Sequence, residues 1–419
     1  MRDPIYKSRA VEPNAAAFES AVRVNDFIVM TEAFSNSYLL QTSAGNIQIN
    51  AGMGIEAPVI KSNYDSFSQD PVKYLIVTQG HVDHVGGVGY FREQHPGMQV
   101  IAQAGNTEHQ AYDTRLTAFR GNRSAFAFTH KFMTVFEKYA KHGYTDHPPQ
   151  DAPVPDIMFE DRHSFTLGEL EVELIAVPGA ETNDSLIVWL PQHKICLTGN
   201  LFGCPFGHFP NLVTIRGDRY RDALTVAAAV QTVMDLGAET ILYGHHDPVE
   251  GKGVIEAELT ALRDAILYVH TETVAGMNAG KTLHTLMSEI QLPAELEVGQ
   301  GYGKVSWSVR AIWENYAGWF KHDSTTELYS QPQSSVHQDL IELAGGPDAI
   351  IERAQQKLFA GKTIEALHLL DIVSPHTSKN EAAISASIEA HEKLLDDSVN
   401  FWLSSWLQNQ INVLKTTGA

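Results

Sequence analysis

The chain has 419 residues, of which 43% are hydrophobic and 19% charged, which argues against a fibrous or wholly disordered protein and predicts two or three packed domains. Lys and Arg number 30 against 50 Asp and Glu, and the net charge of −20 argues against nucleic acid or an anionic membrane as the main partner. The two cysteines, Cys196 and Cys204, cannot form a CxxC pair, so any metal site must use His and carboxylates.

The hydrophobic pattern predicts neither a secretory signal nor a membrane span. The first 20 residues lack the apolar core of a signal peptide. No later run approaches the roughly 18 consecutive apolar residues that a membrane helix needs. We therefore expect a cytoplasmic protein without membrane contact, and the low cysteine content permits a reducing compartment.

Short apolar runs in the first 280 residues predict strands with helices between them. Strands that are punctuated by helices form layered sheets, so this part predicts an α/β sandwich. The predicted strands are 27–31, 37–42, 46–50, 73–78, 99–102, a hairpin at 164–177, 186–190, 194–198 and 240–243, and the predicted helices are 88–93 and 223–236.

Helical periodicity replaces the strand signals from about residue 279 onward. One face of segment 309–320 is apolar and aromatic, which predicts either a subunit contact or packing over the sandwich of the same chain. We expect an α/β domain at 1–280 and an all-α domain at 281–419. The predicted helices of the second domain are 309–320, 338–343, 349–359, 364–370 and 379–414.

The most informative segment follows a predicted strand and contains Gln79, His81, Asp83 and His84. In extended backbone, residues two apart project to the same side, so the first three converge, and His84 adds a donor where the chain turns. Imidazole and carboxylate groups at this spacing suit a divalent metal that activates water. A polar loop with scattered histidines is the alternative.

Three further predicted strand ends carry candidate ligands. Glu181 lies in a turn between two strands, and Asn200 and His245 each follow a strand. Together with the first motif, these loops predict a site that is built along one edge of the sandwich.

These loops resemble the metallo-β-lactamase superfamily. Its first motif is H-x-H-x-D-H after a strand, where this chain has Gln79-x-His81-x-Asp83-His84. By the same resemblance, Glu181 matches the third ligand, Asn200 the bridging Asp and His245 the last His. The resemblance implies an αββα sandwich that holds one or two ions of Zn²⁺, with Fe or Mn as alternatives, and the implied metal ligands are Gln79, His81, Asp83, His84, Glu181 and His245.

Within the superfamily the chain most resembles the alkyl sulfatase branch. That branch also has a Glu after Pro-Gly, as at Glu181, and an Asn-Leu-x-x-Leu-Arg-Gly segment, as at 211–217. Its dimerisation domain contains Tyr-x-Gly-Trp-Phe/Tyr, which matches residues 316–320. The resemblance therefore implies that the all-α region is a dimerisation domain.

Two positions depart from the alkyl sulfatase pattern. Gln79 stands where those enzymes have a His, and Asn200 stands near their bridging Glu. An amide oxygen is a weaker zinc ligand than imidazole, and Asn200 cannot supply an anionic bridge. We expect one metal position to be weakened selectively, namely the one that uses Gln79 and His81, unless Asp184 turns inward to compensate.

By the same resemblance, Asn211 and Arg216 hold the sulfate oxygens, a task that suits the planar and permanently charged guanidinium. The alternative is that Arg216 forms a buried ion pair with Asp218 or Asp222. The loop at 201–209 contains three phenylalanines, among them Phe206. They form either an apolar wall for an alkyl or aryl substrate or part of the domain core.

The leading hypothesis is a metal-dependent hydrolase in which metal-bound hydroxide, with Asp83 and Asn200 as catalytic groups, cleaves the C–O bond of a sulfate ester. Its substrate is a small molecule with an apolar or aromatic part. One alternative is the hydrolysis of an alkyl aryl ether, because loss of anionic ligands leaves a more electrophilic metal. Another is a subunit with a degenerate metal site. The expected assembly is a homodimer or a hetero-oligomer with a paralogous chain.

Overall fold

The computed structural model describes residues 3–12, 20–145, 147–373 and 380–417. It divides into two compact units, Met1–Tyr316 and Ala317–Ala419. The division that the sequence predicts after residue 280 lies inside the first unit, because the helix that begins at Val305 packs into the core of that unit.

A seven-stranded sheet forms the first half of the first unit. Its strands follow chain order, the first four pairing antiparallel and the last four parallel. They are β1 (Val22–Arg23), β2 (Ile28–Thr31), β3 (Ser37–Thr42), β4 (Gly45–Ile49), β5 (Val72–Ile76), β6 (Gln99–Gln103) and β7 (Ile157–Phe159).

A six-stranded sheet forms the second half, in the order β13-β12-β11-β10-β9-β8. Only β11 and β12 pair in parallel, so the loops that follow them leave the sheet at the same edge. Its strands are β8 (Arg162–Leu167), β9 (Leu170–Ala176), β10 (Leu186–Leu190), β11 (Ile195–Gly199), β12 (Thr240–Tyr243) and β13 (Val249–Glu250).

The helices of the first unit lie between these strands and after them. The predicted strands and both predicted helices are confirmed, with ends that differ by at most two residues. The helices are α1 (Ala57–Asp65), α2 (Val82–Val85), α3 (Val88–Gln94), α4 (Asn106–Arg115), α5 (Thr117–Lys141), α6 (Ala223–Leu236), α7 (Lys252–Asn278), α8 (Leu283–Glu289) and α9 (Val305–Ala317).

The alternation of side chains along each strand produces three apolar layers. In β2, Ile28 and Met30 pack between the two sheets, whereas Val29 points to the helices on the outer face of the first sheet. On the outer face of the second sheet, Trp189 and Tyr243 pack against α6, α7 and α9. This is the predicted αββα sandwich.

The second unit is helical, with a core that includes Ile351, Ala354, Leu370 and Ala386. The predicted helix 379–414 is wrong as one element, because Asn400 starts a new helix by accepting a hydrogen bond from the Leu403 backbone N–H at 3.1 Å. Lys379 lies outside the described residues. The helices are α10 (His337–Leu343), α11 (Pro347–Phe359), α12 (Thr363–Val373), α13 (Glu381–Asp396) and α14 (Phe401–Thr417).

Within the described ranges, no helix is both long and apolar enough to cross a membrane.

Candidate active site

The loops that follow β5, β9, β11 and β12 come together at one edge of the sandwich. The Leu186 backbone N–H donates to the carbonyl of Thr78 at 2.9 Å and so links the two sheets there. Gly199 has a φ of +58°, and a Cβ at this position would lie 2.5 Å from Thr78 Oγ1. Glycine therefore permits the close approach of the sheets that brings the candidate ligands together.

His84 is fully buried and its tautomer follows from its neighbours. Its Nδ1 lies 3.2 Å from Thr78 Oγ1 and 3.4 Å from Ser35 Oγ. Both hydroxyls already donate elsewhere, Thr78 to Asn50 Oδ1 and Ser35 to a backbone carbonyl, so both must accept from Nδ1–H. Nε2 is then a bare lone pair, without a hydrogen-bond partner among the described residues.

His245 presents a second bare nitrogen. Its ring hydrogen-bonds the backbone of Phe34. The Phe34 N–H already donates to Glu56 Oε1 at 2.9 Å, so the His245 ring N–H donates to the Phe34 carbonyl. Its Nδ1 has no hydrogen-bond partner in the part of the chain that the structure describes. Burial lowers the pKa of both His84 and His245 to about 3, so both rings are neutral at ordinary pH.

Asp83 supplies a carboxylate beside these rings. Its Oδ2 lies 3.8 Å from His84 Nε2. Burial raises the pKa of Asp83, while the nearby His245 and Arg216 act in the opposite direction. Asp83, His84 and His245 thus combine one acidic group with two neutral imidazole lone pairs.

Gln79 and His81 bond to each other. Gln79 Nε2 lies 2.7 Å from His81 Nδ1, and the other ring nitrogen, Nε2, faces Asp218 Oδ2 at 3.7 Å. The carboxylate favours a proton on Nε2, so Nδ1 is the acceptor and the Gln79 amide the donor. Burial lowers the pKa of His81 well below its usual value.

Glu181 is paired with a buried arginine. Arg221 Nη2 donates to Glu181 Oε1 at 2.9 Å, and Arg221 Nε donates to the Glu181 backbone carbonyl at 2.5 Å. Burial raises the pKa of Glu181 to about 7, although the charge of Arg221 opposes this. Its Oε2 has no hydrogen-bond partner within the described ranges.

Asn200 follows β11, at the same edge of the sandwich. Its side chain packs over Gly244, where an added Cβ would lie 1.8 Å from Asn200 Oδ1. This oxygen is buried and has no hydrogen-bond partner among the residues described. Asn200 is therefore a neutral group with an open acceptor.

Arg216 lies beside Asp218, at 3.6 Å from Nη2 to Oδ2, as the ion-pair alternative predicts, whereas Asp222 instead caps α6. Burial favours a protonated Asp218, but His81, Arg216 and Arg221 lower its pKa below the usual range. Arg123 holds the loop by donating to the Arg216 carbonyl at 2.7 Å.

The other predicted substrate contacts are buried. Asn211 is 3% exposed, and its carbonyl accepts a hydrogen bond from Arg221 Nη1. Phe206 is 1% exposed and packs edge-on against Tyr243 in the core on the outer face of the second sheet. The role of Phe206 as a substrate contact stays a prediction.

The sequence reasoning missed a polar network behind these loops. Arg120 donates to Asp218 Oδ2 at 2.9 Å and also pairs with Asp113. Asp184 is engaged within this network, where it accepts from Asn106 at 2.7 Å and from the hydroxyl of Thr182 at 2.6 Å. Most of these partners are far apart in sequence, and their only local signal was the Arg221-Asp222 pair.

A cleft reaches the surface beside Glu181 and Asp218. Tyr112 and Tyr220 lie on its wall, and the Arg219 guanidinium stacks 4.4 Å from the Tyr112 ring centre. The cleft therefore combines cationic, aromatic and carboxylate groups next to the candidate ligands.

Residues 30–245 match the sequence profile of the Metallo-beta-lactamase superfamily. The chain belongs to this superfamily. Residues 282–414 match a second profile, Alkyl sulfatase dimerisation.

Curated relatives carry alkylsulfatase names. A linear primary-alkylsulfatase of Pseudomonas sp. (strain ATCC 19151) is 26% identical over 342 residues, which are 77% of this chain and 63% of that protein. The alkyl/aryl-sulfatase BDS1 of Saccharomyces cerevisiae is 25% identical over 323 residues, 72% of this chain and 49% of the relative. The chain thus spans about half to two thirds of the length of these relatives.

The stereoselective inverting sec-alkylsulfatase Pisa1 from Pseudomonas sp. shares the fold. Its structure superposes with a TM-score of 0.80 at 20% identity and covers 96% of this chain and 66% of the relative. The similarity extends over nearly the whole chain.

The superfamily implies a divalent metal, and the donor chemistry of this chain fits one. Among the described residues, no three His, Cys, Asp or Glu side chains already form a cluster that could hold an ion. However, His84 Nε2 and His245 Nδ1 are buried lone pairs without a protein partner in the described structure, next to the carboxylate of Asp83. Such orphaned acceptors are costly unless they meet a ligand, and neutral imidazoles with a carboxylate suit zinc.

Proposed function

We propose that this chain is a metal-dependent hydrolase that cleaves the C–O bond of sulfate esters of small alkyl or aryl alcohols. The observation that carries the proposal is the pair of buried imidazole lone pairs on His84 and His245 beside Asp83. The cleft beside Glu181, which Arg219 and Arg221 line, offers room for an anionic substrate. The alkylsulfatase names of the relatives support the choice of ester.

Asp83, His84 and His245 hold the ion, which we propose to be Zn²⁺ with Fe or Mn as alternatives. When bound, this ion supplies Lewis-acid activation of water and of the ester. Thr78 and Ser35 keep the His84 ring in place by accepting from Nδ1–H, and the Phe34 backbone does the same for His245. These contacts orient the ligands before the ion arrives.

Arg216 and Asn211 bind the sulfate group. Asp218 orients the Arg216 side chain from 3.6 Å, and Arg123 fixes its backbone. A guanidinium presents several donors in one plane and stays charged at all relevant pH values, which suits a tetrahedral anion. The apolar part of the substrate lies against Tyr112 and Tyr220 in the cleft.

We also propose that the region from about residue 281 onward joins two identical chains. The match of residues 282–414 to the alkyl sulfatase dimerisation profile supports this. The second unit exposes large apolar side chains, with Leu343 at 85%, Phe359 at 95% and Val399 at 78%. Apolar surface of this kind is commonly buried against a partner. Light scattering of the purified chain should give the mass of a dimer.

The proposed reaction is tested by measuring sulfate release from linear, branched and aryl sulfate esters by ion chromatography, with an alkyl aryl ether in parallel. We expect sulfate release by the wild-type chain and by His284→Ala, which changes an exposed histidine in α8, but none by His84→Ala. Ether cleavage without sulfate release would point to the ether hydrolase. The absence of both activities would contradict the proposal.

The site of bond cleavage is tested separately by running the reaction in oxygen-18 water. Cleavage of the C–O bond places the label in the alcohol. Label in the sulfate would show cleavage of the S–O bond and contradict the proposed reaction.

A further inference from the structure

We infer that this chain binds a single metal ion, at Asp83, His84 and His245, and that internal bonds replace the second ion that Gln79, His81 and Glu181 would hold. The inference rests on the proposed function, because it concerns the metal of that reaction. Three independent observations on the described residues support it.

The first is the state of the histidine rings. His84 and His245 each keep a bare nitrogen, because their other nitrogen is bonded to the protein. His81 differs in its tautomer: its Nδ1 accepts from the Gln79 amide at 2.7 Å, whereas its Nε2, which also has no hydrogen-bond partner among the described residues, carries the proton and faces Asp218 Oδ2 at 3.7 Å. A ligand must offer a lone pair, and His81 has none left to offer while this bond persists.

The second observation is the charge around Glu181. Arg221, 5% exposed, binds both the carboxylate and the backbone carbonyl of Glu181. Arg216 and Arg120 lie around the neighbouring Asp218. The positive charges match the carboxylates here, so no anionic surplus remains to balance a divalent ion.

The third observation is Asn200, which stands at the bridging position that the resemblance to the superfamily implies. Asn200 is neutral and cannot bridge two cations as an acidic side chain would. Its Oδ1 is packed closely over Gly244, where an added Cβ would lie 1.8 Å away. Two ions would therefore face each other without a shared protein anion, and their repulsion is not offset.

The experiment measures zinc per chain by elemental analysis after loading with Zn²⁺ and desalting, and zinc affinity by competition with a chromophoric chelator. We expect one zinc per chain in the wild type and in Gln79→Ala, with affinities that differ by less than about threefold. In His84→Ala we expect the affinity to fall by at least about 100-fold. Two zinc ions in the wild type, or loss of zinc in Gln79→Ala, would overturn the inference.

A second variant keeps the test valid if His84→Ala does not fold. Asp83→Asn is isosteric at a partly exposed position, and we expect it to weaken zinc at least about tenfold. The absorption spectrum of the Co²⁺-loaded chain gives an independent readout, since Gln79→Ala should leave it unchanged and Asp83→Asn should alter it. A Co²⁺ spectrum that responds to Gln79→Ala but not to Asp83→Asn would place the ion beside Gln79 and overturn the inference.

Sulfate release from an alkyl sulfate by the same samples separates the inference from the proposed function. Two zinc ions with sulfate release would overturn the inference and leave the function standing. One zinc ion without sulfate release from any ester would leave the inference standing and contradict the proposed function. No bound zinc would contradict both.

Discussion

Glu56 is a buried carboxyl group that supports the site from behind. It is 1% exposed, and its two oxygens accept from the backbone N–H groups of Phe34 and Met53 at 2.9 and 3.0 Å. Burial raises the pKa of Glu56 to about 8, the two hydrogen bonds oppose this, and the nearby Asp83 adds to it. Because Phe34 also bonds the His245 ring, the ionisation of Glu56 matters for the site.

The sign of the effect on stability follows from the direction of this pKa. The folded chain holds the Glu56 proton up to about pH 8, whereas the unfolded chain releases it near 4.5. Between these values the folded state binds more protons, so the free energy of unfolding falls as the pH rises. A pKa moved from 4.5 to about 8 corresponds to a loss of at most about 5 kcal/mol, complete above about pH 8.

We predict that Glu56→Gln removes this pH dependence. The amide nitrogen cannot accept from a backbone N–H, so the variant leaves one buried donor unpaired at a cost of about 1–3 kcal/mol at every pH. The wild type should therefore be more stable in acid and the variant more stable in base. The two stability curves should cross between about pH 5 and pH 7.

The assay is urea unfolding followed by tryptophan fluorescence at several pH values for both chains. The relevant quantity is the difference between their free energies of unfolding, because it cancels the other titrating groups. Glu295→Gln, which changes an exposed glutamate, is the matched control and should give a constant difference. A constant difference for Glu56→Gln as well would refute the reasoning.

Four further predictions test the structure. Arg221→Met should lower the free energy of unfolding by about 3–5 kcal/mol, because it leaves the buried Glu181 without its counter-charge, and urea unfolding measures it. Gly244→Ala should cost about 1–3 kcal/mol through the clash with Asn200 Oδ1, and adding Asn200→Ala should restore much of this in the same assay. A chain cut after residue 280 loses α9 and exposes core residues, so it should be insoluble. A chain cut after residue 316 retains α9 and should be monomeric by light scattering; a dimer there would place the interface in the first unit.

The sandwich was predictable because most of its strands are short apolar runs, and β8 also alternates with a period of two. The hydrophobic pattern does not predict the long helix α5, which shows what defeats such reasoning. Its buried positions Ala127, Lys131, Val135 and Tyr139 follow a four-residue spacing, but a lysine interrupts the apolar series. Lys131 is tolerated there because it pairs with Glu12 at 2.8 Å, a partner 119 positions away.

In the candidate site too, local sequence patterns predict some residues, whereas contacts between residues distant in sequence could not be predicted. The positions of Asp83, His84 and His245 follow from strand ends, so a local pattern was enough to suggest them. The bond of Glu181 with Arg221 joins residues 40 positions apart, and no local pattern reveals it. The use of His81 Nδ1 by Gln79 depends in turn on Asp218, which selects the ring proton. Which ring nitrogen carries the proton thus depends on contacts with side chains that are distant in sequence.

The charge of the chain bears on how it would recognise an anionic ester. A net charge of −20 repels such a substrate at long range. Arginines gather at the cleft, but Asp218 and Glu181 hold Arg216 and Arg221, so the local charge is nearly balanced. These arginines therefore contribute fixed orientation more than long-range attraction. If the chain acts on the proposed sulfate ester, its selectivity would arise from the orientation of these donors, because a fixed guanidinium loses little freedom on binding.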